Sequence, residues 1–181
     1  WGLVVKYMLL TDAFPNAASA IIDFKTYPLG SSTFLYYVCK IAGSSEGVML
    51  VAQASLIFAC FYAMFGVIRD TKRFLLCSAM ALCCAAMTFF NISIRINNLL
   101  VDFLLPLLTL AVLSILFVYR HDVRRACIVS LPVLALLVIV KNSGIFFALL
   151  CYLYLLYTAL RKKQRQKKST AFLLAALAIA V

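Results

Sequence analysis

Two ionisable residues stand inside otherwise apolar runs. Asp102 lies in "NNLLVDFLLPLL" and Lys141 in "LVIVKNSG". A charge is costly in such surroundings, so residues of this kind usually face a protein interior or a wet cavity. Chemically, a cation of this sort can bind phosphate, and a carboxylate can take a proton from a hydroxyl. Around them we place a wider set of candidates. Asp12 and Asp23 are the candidate catalytic carboxylates, and Lys25, Tyr27, Arg95, Asp102, Lys141 and Asn142 are the candidate substrate-binding residues.

Each residue alone has a plainer alternative. Asp102 either lines a cavity or reaches up to water at a helix end. Lys141 either anchors a helix by reaching toward headgroups or points at a phosphate, with Asn142 and Ser143 donating hydrogen bonds. Arg95 faces the same choice. Asp12, Asp23 and Glu46 read singly are solvated loop charges. Pro106 lacks the N–H that would bond the Asp102 carbonyl, so a bend is expected there.

Other chemistries find no support. The only histidine is His121, which falls in a basic segment away from these residues. A Ser-His-Asp or Cys-His arrangement among the candidates is therefore excluded. The seven cysteines form no C-x-x-C pair and sit in apolar runs, where they read as small packing residues. Neither a zinc-ligand cluster nor a phosphate-binding glycine motif is present.

The elements that must position these residues follow from composition. The chain has 181 residues, 66% of them apolar, against about 45–50% in an ordinary soluble domain. The fold class is all-α: a polytopic transmembrane helix bundle with interfacial amphipathic helices in its first outer loop. Apolar runs of about 20 residues suffice to cross a bilayer. We read spans at 47–68, 74–91, 99–119, 126–140, 145–160 and a last one from 170 to 181. As one helix, residues 126–160 would run about 52 Å, too long for modest tilt. A hairpin turning at Asn142-Ser143-Gly144 is expected instead.

Net charge is +11, with 17 basic residues against six acidic ones. The basic residues cluster at 69–73, 120–125 and 161–168, the last with six positive charges in eight residues. Positive-inside counting puts all three clusters in the cytoplasm. Residues 1–45, 91–98 and 141–144 then lie outside, on the side that holds the candidates. The charge pattern belongs to loops rather than to a basic face on a soluble domain, so nucleic acid is not an expected partner. The expected location is the cell membrane. Residues 1–45 form an extracytoplasmic loop and 46–181 the bundle. The chain starts at Trp1 and stops inside an apolar run, so it is expected to be a piece of a longer protein; no signal-peptide pattern opens it.

Within the loop, residues 1–10 read as a short helix at the interface, carrying Lys6. Trp1, Tyr7, Tyr27, Tyr36 and Tyr37 suit the headgroup zone. Pro28 makes Tyr27 extended, and Gly30 permits a positive φ. Ser31 or Ser32 is expected to cap a helix over 33–42. That helix would present Phe34, Leu35, Val38 and Ile41 to the membrane surface.

"FKTYPLGSSTFLYYV" resembles the Y-P-P-G segment and following aromatic helix of bacterial GT-C type membrane glycosyltransferases. "INNLLVDFLLPLLTLAVL" resembles their helix with an aspartate near its outer end, and "VKNSGIFFALL" their lysine-glycine turn before a late helix. The resemblance implies a lipid-bilayer enzyme using a polyprenyl-phosphate sugar as donor on the extracytoplasmic face. It implies that the catalytic acid lies upstream of Trp1. Tyr27, Pro28 and Gly30 carry over as loop architecture, and Asp102 and Lys141 as residues lining the site. Leu29 stands where the family has its second proline. A divalent metal is left open.

The sequence thus favours transfer of a sugar from a polyprenyl phosphate to an envelope acceptor by single displacement. Two alternatives stay beside it. A transporter or lipid flippase would show inverted repeats and charges near the midplane, and neither is seen. A non-catalytic membrane assembly subunit would keep the spans and lack acids upstream of Trp1.

Overall fold

The structure, a computed structural model, describes residues 1–16, 28–70, 72–89, 99 and 101–161. Among the described residues all regular structure is helical, in seven helices. These are α1 (Gly2–Thr11), α2 (Gly30–Ala42), α3 (Glu46–Phe65), α4 (Phe74–Phe89), α5 (Leu104–Val118), α6 (Val123–Val140) and α7 (Gly144–Arg161). Two of them, α3 and α6, are long and apolar enough to cross a membrane, judged by length and composition. Helices α1, α4, α5 and α7 are apolar but shorter.

Helix α5 forms the axis of the packing. Its Leu104, Leu105, Leu107, Leu108, Ala111, Val112 and Leu116 are buried, on more than one side of the helix. Such an element must be surrounded, and α3, α6 and α7 pack against it. On α6 the buried stripe is Ala126, Cys127, Ser130, Leu134, Leu137 and Val140, at helical spacing. On α7 it is Ala148, Cys151, Leu155 and Ala159. The opposite faces are apolar as well. Phe146, Leu149, Leu150, Leu153, Tyr157 and Leu160 are exposed along α7, and Val51, Phe58 and Tyr62 along α3.

A second cluster, Val5, Leu35, Cys39, Met49 and Ala52, joins α1 and α2 to the first half of α3. The short helices are therefore packed onto the bundle. Capping is local and readable. Ser45 Oγ accepts from Val48 N at 3.2 Å to start α3. Asp122 Oδ1 accepts from Arg125 N at 3.1 Å to start α6. Each satisfies one of the N–H groups left open at a helix start.

Several expectations are corrected. Helix α2 starts at Gly30, three residues before the expected 33, and neither Ser31 nor Ser32 caps it. Both serines lie within the first turn, buried, and among the described residues their hydroxyls have no hydrogen-bond partner. Gly30 does not adopt a positive φ; among described glycines only Gly43 does. Gly30 is needed for close approach instead: a Cβ there would lie 2.5 Å from Ile139 Cγ1 and 2.6 Å from its carbonyl oxygen. The buried face of α2 is accordingly Gly30, Ser31, Ser32, Leu35 and Cys39, while Ile41 of the expected face is 71% exposed. Contact with α6 sets this rotation. Pro106 does not stand inside a longer helix as expected, since α5 begins only at Leu104 and runs to Val118. The proline occupies the first turn, where N–H groups have no partner within the helix. The seven cysteines are not uniformly packed either, because Cys83 is exposed.

The hairpin expected at 142–144 is present. Helices α6 and α7 pack together across it. Gly144 N donates to the Lys141 carbonyl at 2.8 Å and Ile145 N to that of Asn142 at 3.3 Å. The expected loop at 91–98, the basic segment at 162–168 and the span from 170 lie outside the described residues.

Candidate functional site

The α6–α7 turn and the turn leading into α5 meet. Val101 and Phe103 are buried on either side of Asp102. They pin the backbone and leave the carboxylate on the outward side. Lys141 follows the last residue of α6 in extended conformation. Its Nζ donates to Asp102 Oδ1 in an ion pair. The side chains keep 27% of the lysine surface and 40% of the aspartate surface accessible. The pair is partly desolvated and still reachable. Asn142, next in the turn, is exposed.

What makes this turn tight is Gly144. A Cβ at that position would lie 2.0 Å from the Leu137 carbonyl oxygen. Only glycine lets α7 start so close to the last turn of α6.

Asp12 closes α1 in the left-handed region, at φ 50°. It receives two donors on the same oxygen, Oδ1. Lys40 Nζ lies 2.5 Å away and Tyr36 Oη 2.6 Å away, both from α2. The hydrogen bond from Lys40, then that from Tyr36, holds the Asp12 carboxyl below the usual aspartate range. The same contacts raise Lys40, and the Asp12 hydrogen bond raises Tyr36. Tyr36 and Lys40 are four residues apart on one helix, so their ammonium–ring contact at 5.4 Å is a signal the sequence contained.

A third pair has no local signal in the sequence. Lys6 Nζ of α1 lies 2.5 Å from Glu46 Oε1 at the start of α3. Beneath it is a groove of about 310 Å³ lined by Leu3, Met49, Leu50 and Leu99 with Lys6 and Glu46. The partners stand 40 positions apart, and nothing local announces the pairing.

Of the candidates, then, Asp102 and Lys141 are brought together with Asn142 beside them, and Asp12 is paired elsewhere, with α2. Asp23, Lys25, Tyr27 and Arg95 lie outside the described residues. Among the described residues no group of three or more His, Cys, Asp or Glu side chains gathers as a metal would need. At the other ends of α3 and α5, Arg69 Nη2 donates to the Val118 carbonyl at 3.2 Å. Arg69, in the first basic segment, thereby contacts the end of α5 that leads into the second, at the opposite end of α5 from Asp102.

Comparison with protein-family models, curated proteins and solved structures finds no match to this chain.

Proposed function

We propose that the chain is the membrane-embedded part of a GT-C type glycosyltransferase. It would move a sugar from a polyprenyl-phosphate donor to an envelope acceptor on the extracytoplasmic face. The observation that carries the reading is the Asp102–Lys141 pair, in which an aspartate and a lysine from segments far apart in sequence meet at one end of the bundle. The exposed apolar faces of α3 and α7 support a lipid setting, since soluble monomers rarely leave such continuous apolar surface open. The contact of Arg69, in the first basic segment, with the end of α5, just before the second one, supports a single basic, cytoplasmic end.

In this reading Asp102 is a positioning residue and Lys141 touches substrate. An ammonium has three N–H donors. One goes to Asp102, which fixes the direction of the side chain, and the head can still meet phosphate oxygens. The base would be a carboxylate upstream of Trp1, as the family resemblance implies, or Asp23. Asp12 is the weaker candidate, because its two donors disfavour proton uptake. The base takes the proton of the acceptor hydroxyl, whose oxygen bonds to the anomeric carbon. The carbon–oxygen bond to phosphate breaks, its electron pair leaves with the polyprenyl phosphate, and configuration inverts.

The test is transfer from a radiolabelled polyprenyl-phosphate sugar by the full-length protein in proteoliposomes. Losing a hydrogen bond to a charged group costs about 1.5–3 kcal/mol. Lys141→Met is thus expected to weaken donor use about 10- to 100-fold, and Asp102→Asn less. Unchanged transfer in both variants, or none by the native protein, refutes the proposal. Sidedness is checked separately. Cysteines placed at Asn142 and Arg124, in a background without the native ones, are expected to label from opposite sides, and labelling from one side overturns the topology.

A further inference from the structure

The groove between α1 and the start of α3 has a composition unlike the Asp102–Lys141 site. Its floor is hydrocarbon: Met49 is 1% exposed, Leu50 and Leu99 are half-buried, and Leu3 is 60% exposed, leaving the groove open on that side. Its mouth carries one cation and one anion, Lys6 and Glu46, joined at 2.5 Å. Their side chains are 50% and 73% exposed. An ion pair that wet contributes little and is readily exchanged for other partners.

We propose that this groove holds one chain of a zwitterionic phospholipid, of the phosphate-and-ammonium headgroup class. Its volume of about 310 Å³ is at the small end of ligand pockets and suits a segment of one hydrocarbon chain. The headgroup opens the Lys6–Glu46 pair and replaces it with two, phosphate against Lys6 and ammonium against Glu46. A net-anionic headgroup satisfies Lys6 but sets its phosphate beside the Glu46 carboxylate with no cation to offset it. The paired mouth therefore selects for net neutrality, the opposite of a site built for a polyprenyl phosphate. The inference rests on the membrane part of the reading above and is independent of sugar transfer.

The experiment places the full-length protein in nanodiscs of equal phosphatidylethanolamine and phosphatidylglycerol, and reads retained lipid by native mass spectrometry after mild delipidation. The native protein is expected to retain the ethanolamine lipid over the glycerol lipid by about two- to fivefold, the range exposed charge pairs support. Glu46→Gln removes the anion and is expected to reverse the preference. Leu3→Trp, at an exposed position, fills the groove and is expected to abolish retention. The double exchange Lys6→Glu with Glu46→Lys keeps one charge of each sign and is expected to keep the native preference. Equal retention of both lipids, preference for the glycerol lipid by the native protein, or unchanged retention in Leu3→Trp overturns the groove assignment alone. Failure of the native protein to enter nanodiscs overturns the membrane reading with it.

Discussion

Replacing Gly144 by alanine tests the geometry on which the Asp102–Lys141 site depends. The added Cβ would sit 2.0 Å from the Leu137 carbonyl oxygen and 3.0 Å from its carbon, with a Leu105 methyl at 3.5 Å. Real contacts of this kind almost never fall below 3.0 Å, so something must move by at least about 1 Å. The obstacle is backbone in the last turn of α6 and cannot swing aside as a side chain would. Either that turn opens or α7 starts further away, and both routes draw Lys141 from Asp102. Overpacking of this degree costs about 1–3 kcal/mol. At about 2–4 °C per kcal/mol for a chain of this size, the unfolding midpoint falls by roughly 2–12 °C. The assay is thermal unfolding of purified protein in one detergent, with Gly47→Ala as control. A Cβ at Gly47 meets only Ser45 Oγ, at 3.7 Å, and replacing a helical glycine by alanine is neutral to stabilising. A Gly144→Ala midpoint equal to the native one would refute the close helix approach and the placement of Lys141 that follows from it.

Two further outcomes are expected. Asp122→Ala removes the cap of α6 and its 3.2 Å contact with Arg125; loss of such a cap costs about 0.5–2 kcal/mol, read in the same thermal assay, and an unchanged midpoint counts against the cap. The α1–α2 contact is expected to respond to pH in two directions. Asp12 is held below its ordinary value of 3.8, so its contribution is present above that value and fades as pH falls through the lower folded one. Lys40 is raised from 10.5, so its contribution is complete below that value and is lost as pH rises through the higher folded one. A distance probe between α1 and α2 should be steady between these limits, and Asp12→Asn should remove both edges of the plateau.

How much of this was legible follows from what each residue answers to. Long apolar runs bounded by charges gave helix limits near the observed ones: 47–68 was expected where α3 covers Glu46–Phe65. The hairpin at Asn142-Ser143-Gly144 was legible from length and from the side on which the basic run at 161–168 must fall. Asp102 and Lys141 stood out because charge is rare in such runs, but their partnership was not written locally, since they stand 39 positions apart. The misreadings have two causes. "LGSSTF" looks like a turn with a serine cap until Ile139 of α6 comes against Gly30; that contact is tertiary, and it turns the cap residues into packing residues. Pro106 looked like a bend because the start of α5 was placed too early. The pairings Lys6–Glu46 and Asp12–Lys40 depend on how α1 folds back, which no spacing in the sequence encodes.

The order of packing bears on how the protein is made. Helix α3 is synthesised before α4, yet its main partner is α5, and among the described residues α4 reaches the core from the periphery through Met80, Cys84 and Met87. As the chain emerges from the N-terminal end, the second half of α3 must wait, its inward face uncovered, until the stretch from Leu104 onward exists. A chaperone or insertase that shelters Ile57, Cys60 and Met64 during that interval would matter most for this helix. Slowing translation between α4 and α5 should lengthen the vulnerable period, whereas a pause after α5 should be harmless to it.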